Sequence, residues 1–222
     1  MEVDAERRRL VIRDLAAMYL PKHFEQPDRQ ALIALMRERP LATLVVATPD
    51  GPTADLIPME FAPDEGAHGT LRGHVARANP LWRHAPVQAL VVFTGPEAYV
   101  SPGWYPSKRE HGKVVPTWNY TMVQARGTLA AVDDAPWLRA LVGRLTEHHE
   151  ARQHRPWSVN DAPDDYVQQM LKAIVGFEIP LTSLVGKWKV SQNRSAADRE
   201  GVADAVPDAA MAALVRGDGS AS

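Results

Sequence analysis

Short runs of apolar and β-branched residues, separated by turn residues, recur along much of the chain. This pattern predicts β-strands rather than long amphipathic helices. Pro49-Asp50-Gly51 is a turn signal that joins the first two runs into a hairpin. Gly95-Pro96 marks a corner between two separate strands, and Gly127 marks a bend within the longest run. The predicted strands are 41–48, 53–61, 70–76, 87–95, 97–102 and 117–132, followed by two separate strands around GFEIPL and at 184–190.

Helical periodicity is confined to a few segments. The first predicted helix spans about 28–39, with Asp28 as its cap and Pro40 as its end. Asn79 and Pro80 predict the start of a short helix at about 80–85. Further helices are predicted at about 135–152 and 163–174, and in the alanine-rich region after Ser195. Residues 102–114 are rich in proline and polar side chains, so they are predicted to be a loop without regular structure.

These elements predict a mainly β protein with flanking helices (α+β), built on an antiparallel barrel rather than on βαβ units. Residues 1–17 are predicted to be an N-terminal helical extension or a tag-like segment. The barrel domain with its helical insertions is placed at 18–206, and a helical or disordered tail at 207–222.

Composition narrows the class of protein. The chain has 222 residues and no cysteine, which excludes disulfides and cysteine zinc sites. Its net charge of -2 provides no global positive field for nucleic acid. No apolar run is long enough to cross a bilayer, and the start of the chain lacks the apolar core of a secretory signal. We therefore predict a cytoplasmic protein with no membrane partner.

Three segments carry candidate binding chemistry, and the first is 71–80, where a strand leads into a helix start. Free amide groups at a helix start attract anions, and Arg77 could add bidentate contacts to a phosphate. Gly73 would let a flat ligand approach the strand. The alternative is an ordinary strand-to-helix turn with a solvated arginine.

The second segment is the polar loop around 99–120, which combines aromatic rings with cations. Such a combination favours a planar, partly anionic ligand or an interface. The alternative is a set of aromatic rings that close one end of the barrel core. The residues concerned are Tyr99, Trp104, Tyr105, Lys108, His111, Lys113, Trp118 and Tyr120.

The third segment is 186–194. Lys187 and Lys189 would share one face of a strand, with Trp188 on the other. The donors of Gln192, Asn193 and Arg194 would crowd into the turn that follows. The alternative is a solvated face followed by a helix cap.

Several common motifs are missing. The sequence contains no phosphate-binding P-loop, no dinucleotide-binding glycine pattern and no GxSxG. His148, His149 and His154 lack metal-ligand spacing, so a role at the helix end is the preferred interpretation. The helices at 135–152 and 163–174 are separated by too many residues for a helix-turn-helix.

Seven ordered motifs resemble the PaiB-like family, described as FMN-binding negative transcriptional regulators. The resemblance covers about residues 18–206 and leaves 1–17 without a counterpart. The motifs are YLPKHF (19–24), GHVARANPLW (73–82), AYVSPGWYP (98–106), HGKVVPTWNY (111–120), DAPDDY (161–166), IVGFEI (174–179) and GKWKVSQNR (186–194).

The resemblance implies an antiparallel split β-barrel of the FMN-binding type, related to pyridoxamine-phosphate oxidases and flavin reductases. It also implies a homodimer with FMN at the interface. The backbone of 55–59 would follow the flavin ring, and the segment 74–79 would meet the ribityl chain and phosphate. The site residues that the resemblance implies are Ile57, Pro58, Met59, His74, Ala76, Arg77, Asn79, Trp104, Tyr105, Lys113, Trp118, Tyr120, Lys187, Lys189, Gln192, Asn193 and Arg194.

Two functions follow from this resemblance. The first is a PaiB-type regulator, for which DNA would be a partner although the sequence contains no DNA-reading motif. The second is an FMN-dependent oxidoreductase or flavin reductase that uses NAD(P)H, in which Lys113 or Lys187 would stabilise the reduced flavin anion. A haem-handling protein on the same barrel is a third alternative, but no histidine has a distinctive context for it.

Overall fold

Every strand pair that the structure describes is antiparallel. The computed structural model describes residues 18–217. The strands are β1 (Glu25–Gln26), β2 (Leu41–Thr48), β3 (Gly51–Pro58), β4 (Glu60–Ala62), β5 (Thr70–Ala76), β6 (Val87–Val100), β7 (Thr117–Val132) and β8 (Ile174–Lys189). The helices are α1 (Arg29–Glu38), α2 (Ser107–His111), α3 (Ala135–Glu150), α4 (Asp164–Lys172), α5 (Ala196–Ala205) and α6 (Ala209–Arg216). Short 3-10 helices lie at Lys22–Phe24, Pro80–His84, Pro102–Trp104 and Val159–Asp161.

The strand order along the sheet is β3-β2-β6-β7-β8-β5-β4, and β1 pairs with β8 outside this path. Within residues 18–217 no hydrogen-bonded pairing joins β3 to β4 and closes the ring. β8 pairs with three other strands. Its first half pairs with β5 and its second half with β1, while β7 pairs with it along both halves. The two halves of β8 therefore have different neighbours on the side away from β7.

The core lies on one face of this strongly bent sheet. Along β7 every second residue from Asn119 to Leu129 is buried, which is the period of two expected of a half-buried strand. α1 covers one side of the core with Leu32, Ile33 and Met36. α5 and α6 contribute Val202, Met211 and Val215 to the same core.

A second, smaller core lies under the α3–α4 hairpin. Leu138, Val159, Val167 and Leu171 are buried there. Gly176 of β8 makes this packing possible, because a Cβ at that position would lie 2.3 Å from the Trp137 ring. The hairpin therefore packs tightly on the β8 backbone.

Most predicted elements are confirmed with small changes in their bounds. β2, β5 and β7 match the predicted runs, and the ladder shifts register at Gly127 as the predicted bend requires. Asp28 caps α1 by accepting a hydrogen bond from the Gln30 amide at 2.9 Å. Asn79 caps the 3-10 helix at Pro80–His84 by accepting from the Leu81 amide at 2.9 Å.

Four predictions about elements were wrong. The Gly95-Pro96 corner is a β-bulge within one continuous strand, because β6 resumes pairing with β7 at Glu97. The strand predicted at 53–61 ends at Pro58, where the Met59 amide donates to the Pro40 carbonyl instead. The two separate strands predicted around GFEIPL and at 184–190 are one strand, β8, because β7 pairs with both halves.

The fourth wrong prediction is the structureless loop at 102–114. It contains a 3-10 helix and α2. α2 is held from outside, since Asp198 of α5 accepts hydrogen bonds from the Ser107 amide at 3.1 Å and from its hydroxyl at 2.8 Å. The predicted segment 1–17 lies outside the described residues. The predicted tail includes α6, which is packed against the core.

Candidate functional site

The predicted site residues gather at two ends of β8. His74 faces Gly176 near the start of the strand, and Tyr120 faces Lys189 at its end. Lys187 lies eleven positions beyond Gly176, a path of up to about 36 Å at the rise of a β-strand. The two groups therefore lie at opposite ends of one strand.

The first group is a cation–aromatic cluster made of Tyr19, Tyr120, Lys187, Lys189 and Arg194. The Nζ of Lys187 lies 5.4 Å from the centre of the Tyr19 ring and 5.5 Å from that of Tyr120. The Nζ of Lys189 lies 6.0 Å from the centre of the same Tyr120 ring. As predicted, Lys187 and Lys189 share one face of the strand, while Trp188 is buried in the core on the other.

The cations of this cluster have no carboxylate ion-pair partner within residues 18–217. Lys187 is only 8% exposed and donates to the Tyr19 carbonyl at 2.9 Å. Lys189 donates to the Thr117 hydroxyl at 2.5 Å and also to the Trp118 carbonyl. Burial, and then the charges of Arg194 and Lys187, lower the pKa of Lys189. The cluster is thus a half-buried concentration of positive charge.

Two exposed aromatic rings extend the cluster toward solvent. Tyr99 and Trp118 face each other across β6 and β7, with ring centres 6.0 Å apart in an edge-to-face arrangement. They are 47% and 55% exposed. Trp118 and Tyr120 alternate with Asn119, so they share the face that carries Lys189. The cluster therefore opens onto an apolar surface.

The turn after β8 is fixed by its own side chains. Gln192 accepts from the Val190 amide at 2.7 Å and donates to the Trp188 carbonyl at 2.5 Å. Ser191 has a φ of 65°, uncommon for a residue with a side chain, and Asn119 donates to its hydroxyl at 2.9 Å. Asn193 is exposed, and the Arg194 amide donates to the Ser191 carbonyl at 2.9 Å. These hydrogen bonds fix the turn that brings Arg194 into the cluster.

Tyr105 and Trp104 lie behind this turn and not on the open face. Tyr105 is 2% exposed, and the Arg194 guanidinium lies over its ring at 4.8 Å. Its hydroxyl is buried, and burial raises its pKa, an effect that the charge of Arg194 partly opposes. Trp104 is half-buried against the core under α5. Lys113 is exposed in the loop after α2.

The second group is the corner at 73–79. Arg77 forms a bidentate ion pair with Asp133, at 2.8 and 2.6 Å, and donates to the carbonyls of Lys172 and Ile174. This pairing raises the pKa of Arg77 and lowers that of Asp133. The side chain of Asn79, besides capping the 3-10 helix, donates to Asp55 at 3.1 Å. The side chains of Arg77 and Asn79 are therefore each bonded to a carboxylate from another part of the chain.

The remaining predicted residues of this group point to both sides of the sheet. Ile57 and Met59 are buried in the core, whereas Pro58 and Ala76 are exposed. His74 is half-buried, its Nδ1 is buried without a hydrogen-bond partner, and burial lowers its pKa. It faces the α3–α4 hairpin and not the cation–aromatic cluster.

Three functionally placed residues were missed by the sequence reasoning. Asn119 and Ser191 form the buried hydrogen-bonded pair that shapes the turn after β8. Asp133 is the carboxylate that forms an ion pair with Arg77. Nothing in the local sequence links these residues, since Asn119 and Ser191 are 72 positions apart. Tyr19 belongs to the YLPKHF motif, but periodicity gives no reason to place it on Lys187.

Two kinds of site are not found in the described part of the chain. Residues 18–217 contain no group of three His, Cys, Asp or Glu side chains close enough to share a metal ion. None of the helices in the same range combines the length and apolar character that crossing a bilayer would require.

Comparison with known proteins places the chain in a family. The family model described as "Putative FMN-binding domain" matches residues 18–183. The Bacillus subtilis protein named protease synthase and sporulation protein PAI 2 is 32% identical over 183 residues, covering 82% of this chain and 85% of that protein. An uncharacterized Aspergillus fumigatus protein is 36% identical over 192 residues, covering 71% of each chain.

Solved structures support the fold alone. The FAD and heme binding protein from Mycobacterium smegmatis aligns with a TM-score of 0.51 at 16% identity, over 74% of this chain and 73% of that one. A Bacteroides thetaiotaomicron protein described as a "putative 5-nitroimidazole antibiotic resistance protein" aligns with a TM-score of 0.50 at 12% identity, over 73% of this chain and 85% of that one. The predicted class, an antiparallel split barrel with flanking helices, is confirmed. The chain belongs to the FMN-binding domain family and is a homologue of the Bacillus subtilis protein PAI 2.

Proposed function

We propose that the protein binds FMN between two copies of the chain and that the cation–aromatic cluster holds the negative charge of the flavin. The observation that carries this proposal is the set of three cations, Lys187, Lys189 and Arg194, that have no carboxylate ion-pair partner within residues 18–217. Asp198 is close enough to Arg194 for their charges to interact, whereas Lys187 and Lys189 are bonded to neutral oxygens alone. Half-buried cations beside aromatic rings suit a planar anionic ligand. The family membership of the chain supports FMN as that ligand.

The chain's own groups would bind and orient the cofactor at this cluster. Lys187 and Lys189 are held by carbonyl and hydroxyl oxygens, so their charges have fixed positions before a ligand arrives. Tyr120 offers a ring between them. When bound, FMN supplies one- and two-electron redox chemistry. If the flavin ring lies beside Lys187 or Lys189, their charges would favour its reduced, anionic form.

The corner at 73–79 suits a phosphate less well in this conformation. Arg77 is already paired with Asp133, and Asp55 lies beside Asn79. A phosphate there would have to displace one carboxylate and tolerate the other. We therefore assign the main anionic contact to the cluster and not to Arg77.

Flavin titrations of two sets of variants test this assignment. Lys189→Met and Arg194→Met are expected to weaken FMN binding about 10- to 100-fold, as the loss of charged hydrogen bonds implies. Lys172→Met removes an exposed cation at the other end of β8 and should leave the affinity unchanged. Arg77→Ala should change it by less than about threefold. A large loss in Arg77→Ala with none in the cluster variants would contradict the proposal.

The exposed rings of Tyr99 and Trp118 favour the homodimer. Aromatic rings of this exposure beside a binding site are typical of surfaces that a partner covers. A second copy placed there would bury these rings and exclude water from the cluster.

For the cellular role, we infer that the flavin acts in redox chemistry, either as an enzyme or as the sensor of a regulator. Mixing the FMN-loaded protein with NADH or NADPH in a stopped-flow instrument separates the two. Rapid loss of flavin absorbance would support an oxidoreductase or flavin reductase. Very slow reduction by both donors would support a regulator like those that the sequence motifs resemble.

Direct DNA binding has a separate test. The chain has a net charge of -2, so any contact with DNA would depend on a local positive surface. A gel-shift assay at low and moderate salt measures it, because phosphate contacts weaken steeply with salt. The absence of a shift at low salt would exclude direct DNA binding and leave regulation through a partner.

A further inference from the structure

Lys189 differs from the other lysines of the chain in what surrounds its amine. Of the six lysines, Lys187 is buried, and four are exposed: Lys22, Lys108, Lys113 and Lys172. Lys189 is half-buried, and one of its hydrogen-bond acceptors belongs to Trp118, which is 55% exposed. Lys189 is therefore the lysine that lies among other cations and still has access to solvent.

The charges that act on Lys189 are positive. Burial, and then the charges of Arg194 and Lys187, lower the pKa of Lys189, and no carboxylate within residues 18–217 is among the groups that shift it. Asp198 of α5 interacts with Arg194, but its oxygens accept hydrogen bonds from Ser107. The remaining titratable groups around the cluster are the phenols Tyr19, Tyr105 and Tyr120. A larger fraction of the Lys189 amine is therefore uncharged near neutral pH than in an exposed lysine.

The hydrogen bonds of Lys189 can be kept when the amine loses its charge. Within the part of the chain that the structure describes, its Nζ has two acceptors, the Thr117 hydroxyl and the Trp118 carbonyl. An ammonium group has three N–H donors, whereas the uncharged amine has two and a lone pair. Both acceptors can thus stay bonded while the lone pair is free to attack an electrophile.

We infer that Lys189 is a site of reversible modification by carbon dioxide, which converts its amine to a carbamate. The lone pair of the uncharged Nζ forms a bond to the carbon of CO2, and one C=O electron pair moves onto oxygen. One proton leaves the nitrogen for solvent, so amine plus CO2 gives carbamate plus H⁺ without any oxidation or reduction. The N–H that remains can still donate to the Thr117 hydroxyl or to the Trp118 carbonyl.

The same cations that favour the uncharged amine also stabilise the product. A carbamate carries a negative charge, and Lys187 and Arg194 place positive charges beside it. Lys187 donates one N–H to the Tyr19 carbonyl at 2.9 Å, and an ammonium group has two more to offer. An exposed lysine such as Lys172 has neither of these advantages. CO2 is also small enough to reach a half-buried amine without a preformed cavity.

This inference goes beyond the flavin proposal and does not need FMN in the protein. A carbamate on Lys189 and the negative charge of FMN would use the same cations. We therefore expect the two to exclude each other, an expectation that does rest on the flavin proposal. The ammonium form of Lys189 would hold FMN, and the uncharged form would react with CO2.

Chemical trapping tests the inference on the full chain, both freed of small ligands and with saturating FMN. The protein is equilibrated with ¹³C-labelled bicarbonate and CO2 at about pH 7.5, where exposed lysines are almost fully protonated. Triethyloxonium then ethylates any carbamate, and peptide mass spectrometry locates the label. The α-amino group also forms carbamates and is distinguished by its own peptide. In the ligand-free protein we expect at least about fivefold more label on Lys189 than on Lys172, because a lower pKa leaves more uncharged amine.

Two results would overturn the inference in the unmodified protein. One is a label on Lys189 no greater than that on Lys172, and the other is a label on Lys187 in its place. Label on Lys189 that persists at the same level in guanidinium-unfolded protein would also overturn it, because the folded surroundings would then play no part. Label on Lys189 that saturating FMN does not reduce would support the inference and contradict the assignment of the flavin to the cluster.

Matched arginine variants test the role of the neighbouring charge. Arg194→Gln removes a cation from the cluster and should lower the label on Lys189 about threefold or more. Arg152→Gln removes an exposed cation in the loop after α3 and should leave the label unchanged. Equal labelling of Lys189 in the two variants would overturn the inference. If Arg194→Gln folds poorly, the comparison of folded and unfolded unmodified protein decides.

Discussion

His74 links protonation to folding at the scale of a single residue. Burial lowers its pKa below the usual 6.5, so the folded state holds the proton less tightly than the unfolded state does. Its contribution to stability is therefore complete above about pH 6.5 and falls as the pH drops from there toward its folded pKa. The loss cannot exceed about 1.4 kcal/mol per pH unit for one proton.

Urea unfolding between pH 7.5 and about pH 5 measures this effect. His74→Gln, which cannot take up a proton, should lose less stability over this range than the unmodified protein. His68→Gln changes an exposed histidine and should follow the unmodified protein. If both variants have the same pH dependence, burial of His74 is not its cause.

Ser191 combines backbone strain with a buried hydrogen bond. Its φ of 65° is costly for a residue with a Cβ, and its hydroxyl is the partner of the buried Asn119 amide. Ser191→Ala keeps the strain and leaves Asn119 unpaired, so it should destabilise by about 1–3 kcal/mol. Ser191→Gly loses the same bond but relieves the strain, so it should be more stable than Ser191→Ala by about 1 kcal/mol. Denaturant unfolding of both variants gives the difference, and equal stability would mean that the backbone is not strained.

At this scale the sequence predicts what depends on near neighbours. The shared face of Lys187 and Lys189 follows from the period of a strand, and the Asn79 cap follows from Asn-Pro. The partner of Arg77 does not follow, because Asp133 is 56 positions away and meets it only after β5 and β7 have both paired with β8. The prediction that Arg77 contacts a phosphate was therefore made without the ion pair to Asp133.

At the scale of secondary-structure elements, β7 and β8 approach each other so closely at one point that only glycine fits there. At the bend in β7, a Cβ on Gly127 would lie 2.3 Å from the Pro180 carbonyl oxygen, which β8 holds in place. Gly127→Ala should therefore destabilise the protein by about 1–3 kcal/mol or more, as overpacking does. Gly143 of α3 has nothing within 4 Å of the equivalent position, so Gly143→Ala should stabilise by up to about 1 kcal/mol. Thermal unfolding that shifts both variants in the same direction would contradict this account of the bend.

The wrong predictions about elements share a physical cause. Gly95-Pro96 and the polar loop at 102–114 have the local composition of chain breaks. Pairing with β7 carries β6 across the first, and Asp198 of α5 supplies Ser107 with the partners that stabilise α2 in the second. In both places, hydrogen bonds from a distant element override the local secondary-structure propensity.

At the scale of the whole molecule, the class of fold could be predicted from strand patterns, whereas the arrangement of the site could not. The motifs at 73–79 and 186–194 belong to one predicted site, but they lie at opposite ends of β8. That separation depends on the strand order, which joins β5 to β8 across about a hundred residues. In the proposed homodimer, the two motifs could come to one ligand from different copies of the chain.

The proposed homodimer gives the final prediction. Trp118→Glu places a charge on the exposed surface beside the cluster, where a partner copy would have to bury it, so it should shift the protein to monomers and weaken FMN binding. Trp157→Glu is the matched control. Trp157 is 47% exposed, compared with 55% for Trp118, but it lies beside the α3–α4 hairpin. It should leave the dimer and FMN binding unchanged. Sedimentation velocity with FMN absorbance detects both mass and flavin in one experiment. If the unmodified protein binds FMN as a monomer, the site is not shared between two copies. If only Trp157→Glu abolishes the dimer, the interface lies at the α3–α4 hairpin instead.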